Sequence, residues 1–361
     1  MTKLDVKHKI VAIGGGTGTF TLLTGLKEYA DLDISAIVTM ADDGGSNKIL
    51  RDEFGLLPTS GIRQAMVALS QDTTLLRKLF EYRYYQGTGI SGMTFGNLFM
   101  AAVADIVGSQ KDAIKETCDL LGVRGHILPV SYERTSLVAT YQDGTEVLGE
   151  HYIDMSNPKV AKQRIINLRT IPRIKLDDSA SRAIKTADMI VLGPGDLYTN
   201  TIANLVVKGV AEAIESSMAK VVFVMNLMSR PGETYAYKAS DFLADLSTYL
   251  KPDRLDYVLL NSETSPSPSV LKKYAQEWSS PVEDDLSSTW HKATVLRARM
   301  RASHQPTLIK GDTLIRSMVR HDPSMLAKQL VKLLSWITYQ NHLSHHLSPQ
   351  KKLFFLSGSK E

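Results

Sequence analysis

A chain of 361 residues, 43% hydrophobic, 22% charged and 7% aromatic, has an ordinary globular composition, which excludes a disordered, collagen-like or disulfide-stapled protein. One cysteine, Cys118, can form neither an intramolecular disulfide nor a thiolate metal site, and no apolar run approaches the ~18 residues of a membrane span. A soluble, cytoplasmic protein is expected. The net charge is only +4, but residues 291–361 hold 12 Lys+Arg against 3 Asp+Glu. Such a basic end can touch phosphate, but it is more often a solvated helical face. No nucleic-acid partner is therefore expected.

The chain opens on a short apolar run, KIVAI, that turns through GGGTGT into a helical stretch from Phe20 to Tyr29. A second strand, DISAIVTM, ends in ADDGGS. Residues 47–122 are patterned mainly as helix, interrupted by the glycine-rich QGTGISGMTFGN. Asp143-Gly144 between two β-rich runs then signals a hairpin, and residues of about 126–170 read as an antiparallel insertion. From residue 180 the order helix, strand, loop returns, with strands DMIVLG, KVVFVMN and LDYVLLN each ending in small or polar residues. This pattern predicts an α/β fold: a doubly wound, mostly parallel, Rossmann-like sheet with helices on both faces. LIRSMVRHDPSMLAKQLVKLLSWI reads as helix. The expected organisation is one domain over 1–335 and a basic, His-rich tail over 336–361.

Open parallel sheets bind ligands beyond the carboxyl ends of their strands, so the loops after strands carry the candidates. Gly14 to Gly16, Thr17 and Gly18 form a turn whose amides can approach an anion at a helix N-terminus. Dinucleotide spacing would need a glycine where Thr19 stands, and no P-loop lysine follows. Asp42 and Asp43, ahead of Gly44, Gly45 and Ser46, can hold Mg²⁺, bind a sugar hydroxyl, act as a general base or cap the next helix. The loop Gly193-Pro194-Gly195-Asp196-Leu197-Tyr198-Thr199 repeats the logic of the first. Asn226 ends a strand with both donor and acceptor. Asn97 is a ligand or a helix cap, and Arg51 and Arg63 are phosphate candidates or surface charges. Cys118 reads as core, and His342, His345 and His346 as part of the tail rather than as a metal site.

Six segments, IGGGTGT, IVTMADDGGS, LRDEFGLLP, SGMTFGNLF, LGPGDLYT and NLMSRPGET, together resemble the YvcK-type gluconeogenesis factor family in order and spacing. That family is related to the CofD enzyme, 2-phospho-L-lactate transferase, and the similarity runs from about residue 9 to 335. The resemblance implies a nucleotide-binding crevice lined by Gly15, Gly16, Gly18, Asp42, Asp43, Asn97, Gly193 to Thr199 and Asn226. It also implies binding of UDP-sugars and a part in cell shape and wall synthesis on gluconeogenic carbon, without established catalysis. The alternative it leaves open is a Mg²⁺-dependent transferase acting on a nucleotide-diphospho donor, with Mg²⁺ held by Asp42 and Asp43. The chain departs from the family at Asp196 and Asn200, where serines are usual, and at Gly61, where an acidic residue is. A homodimer is expected only on the general frequency of dimers.

Overall fold

The computed structural model of the chain describes residues 7–346 other than 72–74, 155–157, 264–265, 301 and 308–315. Its strands are β1 (His8–Gly14), β2 (Leu32–Val38), β3 (His126–Pro129), β4 (Ser136–Tyr141), β5 (Glu146–Leu148), β6 (Ile165–Ile171), β7 (Met189–Leu192), β8 (Lys220–Val224), β9 (Tyr257–Asn261), β10 (Thr289–Trp290), β11 (Ala293–Ala298), β12 (Ala302–Thr307) and β13 (Arg316–His321). Eight of these make one sheet in the order β10-β11-β9-β8-β7-β1-β2-β3, parallel except where β10 meets β11. The doubly wound, mostly parallel α/β sheet expected from the alternating pattern is the architecture found.

Burial explains why β1 lies inside the sheet. Ile10 to Gly14 are all buried, so both faces of the strand must be covered. Ile10 and Ala12 pack with the helices Gly16–Leu26, Ser60–Leu69 and Pro323–His346. Val11 and Ile13 pack on the opposite face with Asp178–Thr186, Val210–Ser216 and Ala239–Leu246. Period-two alternation within an apolar strand thus feeds two separate cores.

The small antiparallel sheet, ordered β5-β4-β6, lies on the second of these faces through Leu137, Ala139, Tyr141, Ile165 and Leu168. Its Asp143-Gly144 turn forms as the sequence indicates: Asp143 Oδ1 accepts the Thr145 amide at 2.9 Å and Gly144 takes φ 84°. Residues 126–129, grouped with the insertion from sequence, instead pair parallel with β2 and form the sheet's edge. Four apolar residues are too few for their period to reveal a partner.

The carboxyl-terminal region also differs from expectation. Residues 316–321 are not helical; they pair antiparallel with β12. The helix begins at Pro323, where Asp322 accepts the Met325 amide at 2.9 Å, so Asp-Pro marks the start. It continues through Trp336 to His346, so the first part of the expected tail is helix; residues 347–361 lie outside the described residues, and so do the side chains of His342, His345 and His346. No helix among the described residues is long and apolar enough to cross a membrane.

That last helix crosses Gly16–Leu26 at Gly25, where a Cβ would overlap the Pro323 carbonyl and lie 2.9 Å from the Ala327 Cβ. Gly25→Ala is expected to destabilise the fold by about 1–3 kcal/mol through overpacking, read as a lower urea midpoint with an unchanged slope.

Candidate functional site

β1 runs through its helix to β2 on one side, whereas β7 pairs with β1 on the other, so the sheet changes winding direction between β1 and β7. In a doubly wound sheet that switch point is where a ligand crevice opens. Here two loops meet, the glycine turn after β1 and the segment 193–200 after β7. Their contact is close enough to exclude side chains. A Cβ on Gly18 would collide with the Pro194 carbonyl group and sit 2.8 Å from the Gly195 amide nitrogen. One on Gly15 would overlap the Asn200 amide, and one on Gly14 the Thr19 hydroxyl. Asn204 ties the pair together by donating from Nδ2 to the carbonyls of Gly14 (3.2 Å) and Asn200 (2.6 Å). The glycines are therefore demanded first by loop packing, whatever they do for a ligand.

What the turn leaves open is the start of the helix Gly16–Leu26. Gly15 is its N-cap in an extended conformation, no side chain caps it, and Gly16, Thr17 and Gly18 are partly exposed. An uncapped helix N-terminus offers amide donors and a partial positive charge to an anion.

The loop 193–200 is arranged differently. Glu233, fully buried, accepts the amides of Tyr198 (2.9 Å) and Thr199 (3.3 Å) and the Thr199 hydroxyl (2.8 Å). The donors that open the turn Leu197–Ile202 are thereby spent on a carboxylate of the chain itself. Tyr198 points into the core, its hydroxyl donating to Asp245 (2.7 Å) with the Ile165 carbonyl at 2.9 Å. Asp196 is held by Arg230 Nη1 at 2.8 Å and by Asn200 Nδ2 at 3.3 Å. Arg230 also pairs with Asp154, so one guanidinium offsets the unexpected acid at 196. Carboxylate oxygens of Asp154, Asp196 and Glu233 lie within 4.8 Å of one another, a spacing a metal could use, but Arg230 bonds two of these acids directly. Asn226 closes this side by donating from Nδ2 to the Gly195 carbonyl at 2.7 Å.

Across the crevice, Asp42 Oδ1 accepts the Gly44 amide at 3.0 Å, and Asp43 Oδ1 accepts the His151 amide, also at 3.0 Å. The second contact docks the short helix Glu150–Asp154 of the insertion onto the loop after β2. Gly44 is small because the His151 ring lies against it. Burial raises the Asp42 carboxyl above its usual range, with Asp43 adding to the effect. Burial, with Asp42, Asp154, Glu233 and Asp43 nearby, pushes Glu150 up to about 10. Burial likewise raises Asp154, and pushes Glu233 up to about 7. Each Asp of the pair spends one oxygen on a backbone amide, and among the described residues the acids close enough to share a cation are Asp154, Asp196 and Glu233, not this pair.

Asn97 and Arg63 lie deeper. Thr94, not Asn97, caps the helix Phe95–Val107, its hydroxyl accepting the Asn97 amide at 3.3 Å. Asn97 Nδ2 reaches the Ser60 hydroxyl at 3.4 Å, which donates to Asn47 at 3.0 Å, and Asn47 in turn bonds Asp42. Asn97 thus joins the Asp42 loop through two intermediaries. Arg63 is buried against Phe80, donating to its carbonyl at 3.4 Å, and burial lowers its guanidinium to about 10. Arg51 pairs with Asp52 next to it. Ser46 lies in the helix Gly45–Phe54, its side chain outside the described residues. Burial pushes the Cys118 thiol up to about 12, fitting a packing role.

Comparison with known proteins places this architecture. Residues 10–301 match the profile of the family described as 2-phospho-L-lactate transferase CofD. The chain belongs to the CofD family, in its gluconeogenesis factor branch. It is 36% identical over 328 residues to the gluconeogenesis factor of Bacillus subtilis, covering 91% of this chain and 98% of that one. It is 40% identical over 276 residues to the gluconeogenesis factor of Halalkalibacterium halodurans, covering 76% and 84%. A crystal structure of a Bacillus halodurans protein superposes with a TM-score of 0.81 at 36% identity, over 90% of this chain and 99% of that one.

Sequence reasoning missed Glu150, His151, Asp154, Asn204, Arg230 and Glu233, and named Asn200 only as a departure from the family pattern. Arg230 and Glu233 stand in SRPGET, where opposite charges flanking a Pro-Gly turn after a buried strand are a usable signal. Glu150 and Asp154 carry none, because only the insertion's docking brings them to the crevice.

A carboxyl kept protonated in the fold but free to ionise in the unfolded chain binds more protons in the native state, so stability falls as pH rises from its ordinary ~4.3 through its folded value. For Glu233 that window closes near pH 7, and for Glu150 near pH 10. Thermal unfolding in EDTA should therefore give a lower midpoint at pH 8 than at pH 5.5, and Glu150→Gln should raise the midpoint more at pH 8. An equal effect at both values would contradict the shift at Glu150.

Proposed function

We propose that the chain binds a nucleoside diphosphate sugar of the UDP-sugar type and acts as a cytoplasmic regulator of cell shape and wall synthesis during growth on gluconeogenic carbon. The observation that carries this reading is the uncapped start of the helix Gly16–Leu26 at the switch point of the sheet. A diphosphate supplies the negative charge that end lacks, and the loops after β2 and β7 flank it on either side. The relatives named gluconeogenesis factor support the physiological setting.

A second reading rests on the crowded carboxyls at Asp42 and Asp43 together with the transferase named in the family description. There, Mg²⁺ would neutralise the donor's diphosphate and stabilise the nucleoside monophosphate that leaves when the P–O–P bond breaks and the distal phosphate passes, with its lactyl group, to an acceptor. The chain's own residues would then divide the work, with the Gly16 to Gly18 amides holding the diphosphate and the Asp pair holding the cation.

Thr17→Asp separates structure from binding. An acid in the first turn favours the helix, so the thermal midpoint should hold or rise. The same charge repels a diphosphate, so calorimetric titration with UDP-N-acetylglucosamine should show affinity lower by about tenfold or more. Unchanged affinity would remove the helix start from the site. Binding that persists in EDTA without turnover supports the regulator; Mg²⁺-dependent consumption of a nucleotide-linked phospholactate donor supports the transferase.

A further inference from the structure

His321, at the end of β13, is buried to 4% exposure, yet it is not one of the residues that line the crevice. A polar ring in such a place must find a partner or forfeit the bonds it made to water. Its Nε2 lies 3.2 Å from the carbonyl oxygen of Met225. A carbonyl only accepts, so Nε2 carries the proton and the ring is the neutral tautomer with Nδ1 bare. Burial favours that form, pulling the imidazole down to about 4.

Met225 stands between β8 and Asn226. Its amide donates to the Leu259 carbonyl at 3.0 Å, which pins the near side of the residue to β9. Its carbonyl belongs to the next peptide plane, the one that carries the Asn226 nitrogen, and there the imidazole is the partner. Fixing that plane fixes where the Asn226 side chain starts. Asn226 then donates from Nδ2 to the Gly195 carbonyl at 2.7 Å, while its Oδ1 takes no hydrogen bond among the described residues. The segment that delivers His321 is anchored on both sides. Val319 donates its amide to the Tyr274 hydroxyl at 2.8 Å, and Asp322 accepts the Met325 amide at 2.9 Å where the last helix begins. His321 also lies beyond residue 301, where the match to the CofD profile ends.

Building on the nucleotide reading above, we propose that His321 is a positioning residue for the ligand site: its Nε2–H holds the Met225 peptide so that Asn226 bridges to Gly195 and keeps its free acceptor at the crevice. The segment that follows the CofD match thereby supports the loop after β8 from behind, without touching the ligand.

Two variants separate the donor from the space it fills. His321→Gln can place an amide nitrogen near the Nε2 position, whereas His321→Leu fills similar space and donates nothing. Calorimetric titration of the full chain with UDP-N-acetylglucosamine, well below every thermal midpoint, should find His321→Gln within about twofold of the wild type and His321→Leu about tenfold weaker. Asn226→Ala should also weaken binding by about tenfold, and adding His321→Leu to it should cost no more than about a further twofold, because both changes act through one side chain. Losses that multiply to about a hundredfold would overturn the positioning role, as would equal affinities of the two His321 variants or wild-type affinity in Asn226→Ala. In the ligand-free protein, amide hydrogen exchange in peptides spanning residues 193–200 and 225–230 should quicken in His321→Leu but not in His321→Gln. Unchanged exchange would overturn the role whatever the ligand. Failure of the wild type to bind would overturn the nucleotide reading, and the exchange result would then decide whether His321 holds the loop. Should His321→Leu not fold, His321→Asn, whose amide stops one carbon short, takes its place in both experiments.

Discussion

Two turns meet at the carboxyl edge of the sheet with no room for a side chain on the glycine turn, and much of the site follows from that contact. Gly18 lies against the Pro194 carbonyl and Gly15 against Asn200, while Asn204 bonds the Gly14 carbonyl from below. Because the turns lock each other, the first turn of the helix Gly16–Leu26 is held still with its amides uncapped. A preorganised set of donors costs little to align when an anion arrives. The same packing fixes Gly195, and through it Asn226 beyond the end of β8.

Charge makes the two walls of the crevice unlike. On the β7 side Arg230 neutralises Asp154 and Asp196, and Glu233 is absorbed by the amides of the turn it caps. On the β2 side no guanidinium pairs with Asp42 or Glu150 among the described residues, and burial raises both carboxyls, as it does Asp154 and Glu233 on the other wall. The insertion contributes to both walls through one short helix, with the His151 amide on Asp43 and the Asp154 carboxylate on Arg230. Its antiparallel sheet thus acts as a brace between the loop after β2 and the loop after β8.

The fold was legible because β1, β2, β7, β8 and β9 are continuous apolar runs ended by small or polar residues, a pattern that needs cover on both faces. Gly14 to Gly18 were legible as a site but for an incomplete reason, since a row of glycines does not reveal whether a ligand or another loop fills the missing side-chain volume. Tyr198 and Thr199 looked like ligand contacts because they sit in a glycine loop; Glu233, more than thirty residues later, turns them inward. Asn97 read as either a ligand or its helix's cap because the true cap, Thr94, stands only three residues earlier. Glu150 and Asp154 were illegible because only the docking of the insertion brings them to the crevice, a contact with no local sequence signature. The strand Arg316–His321 was hidden by the helical pattern that follows it, although Asp322-Pro323 marks the boundary.

Amide hydrogen exchange of the full chain with and without UDP-N-acetylglucosamine tests the claim that this loop pair is the ligand site. Slowed exchange concentrated in peptides spanning residues 14–20 and 193–200, with the segment after β8 following, is the expected result. Protection confined to the distant groove between the helices Asp178–Thr186 and Val210–Ser216, with the glycine turn unchanged, would contradict it.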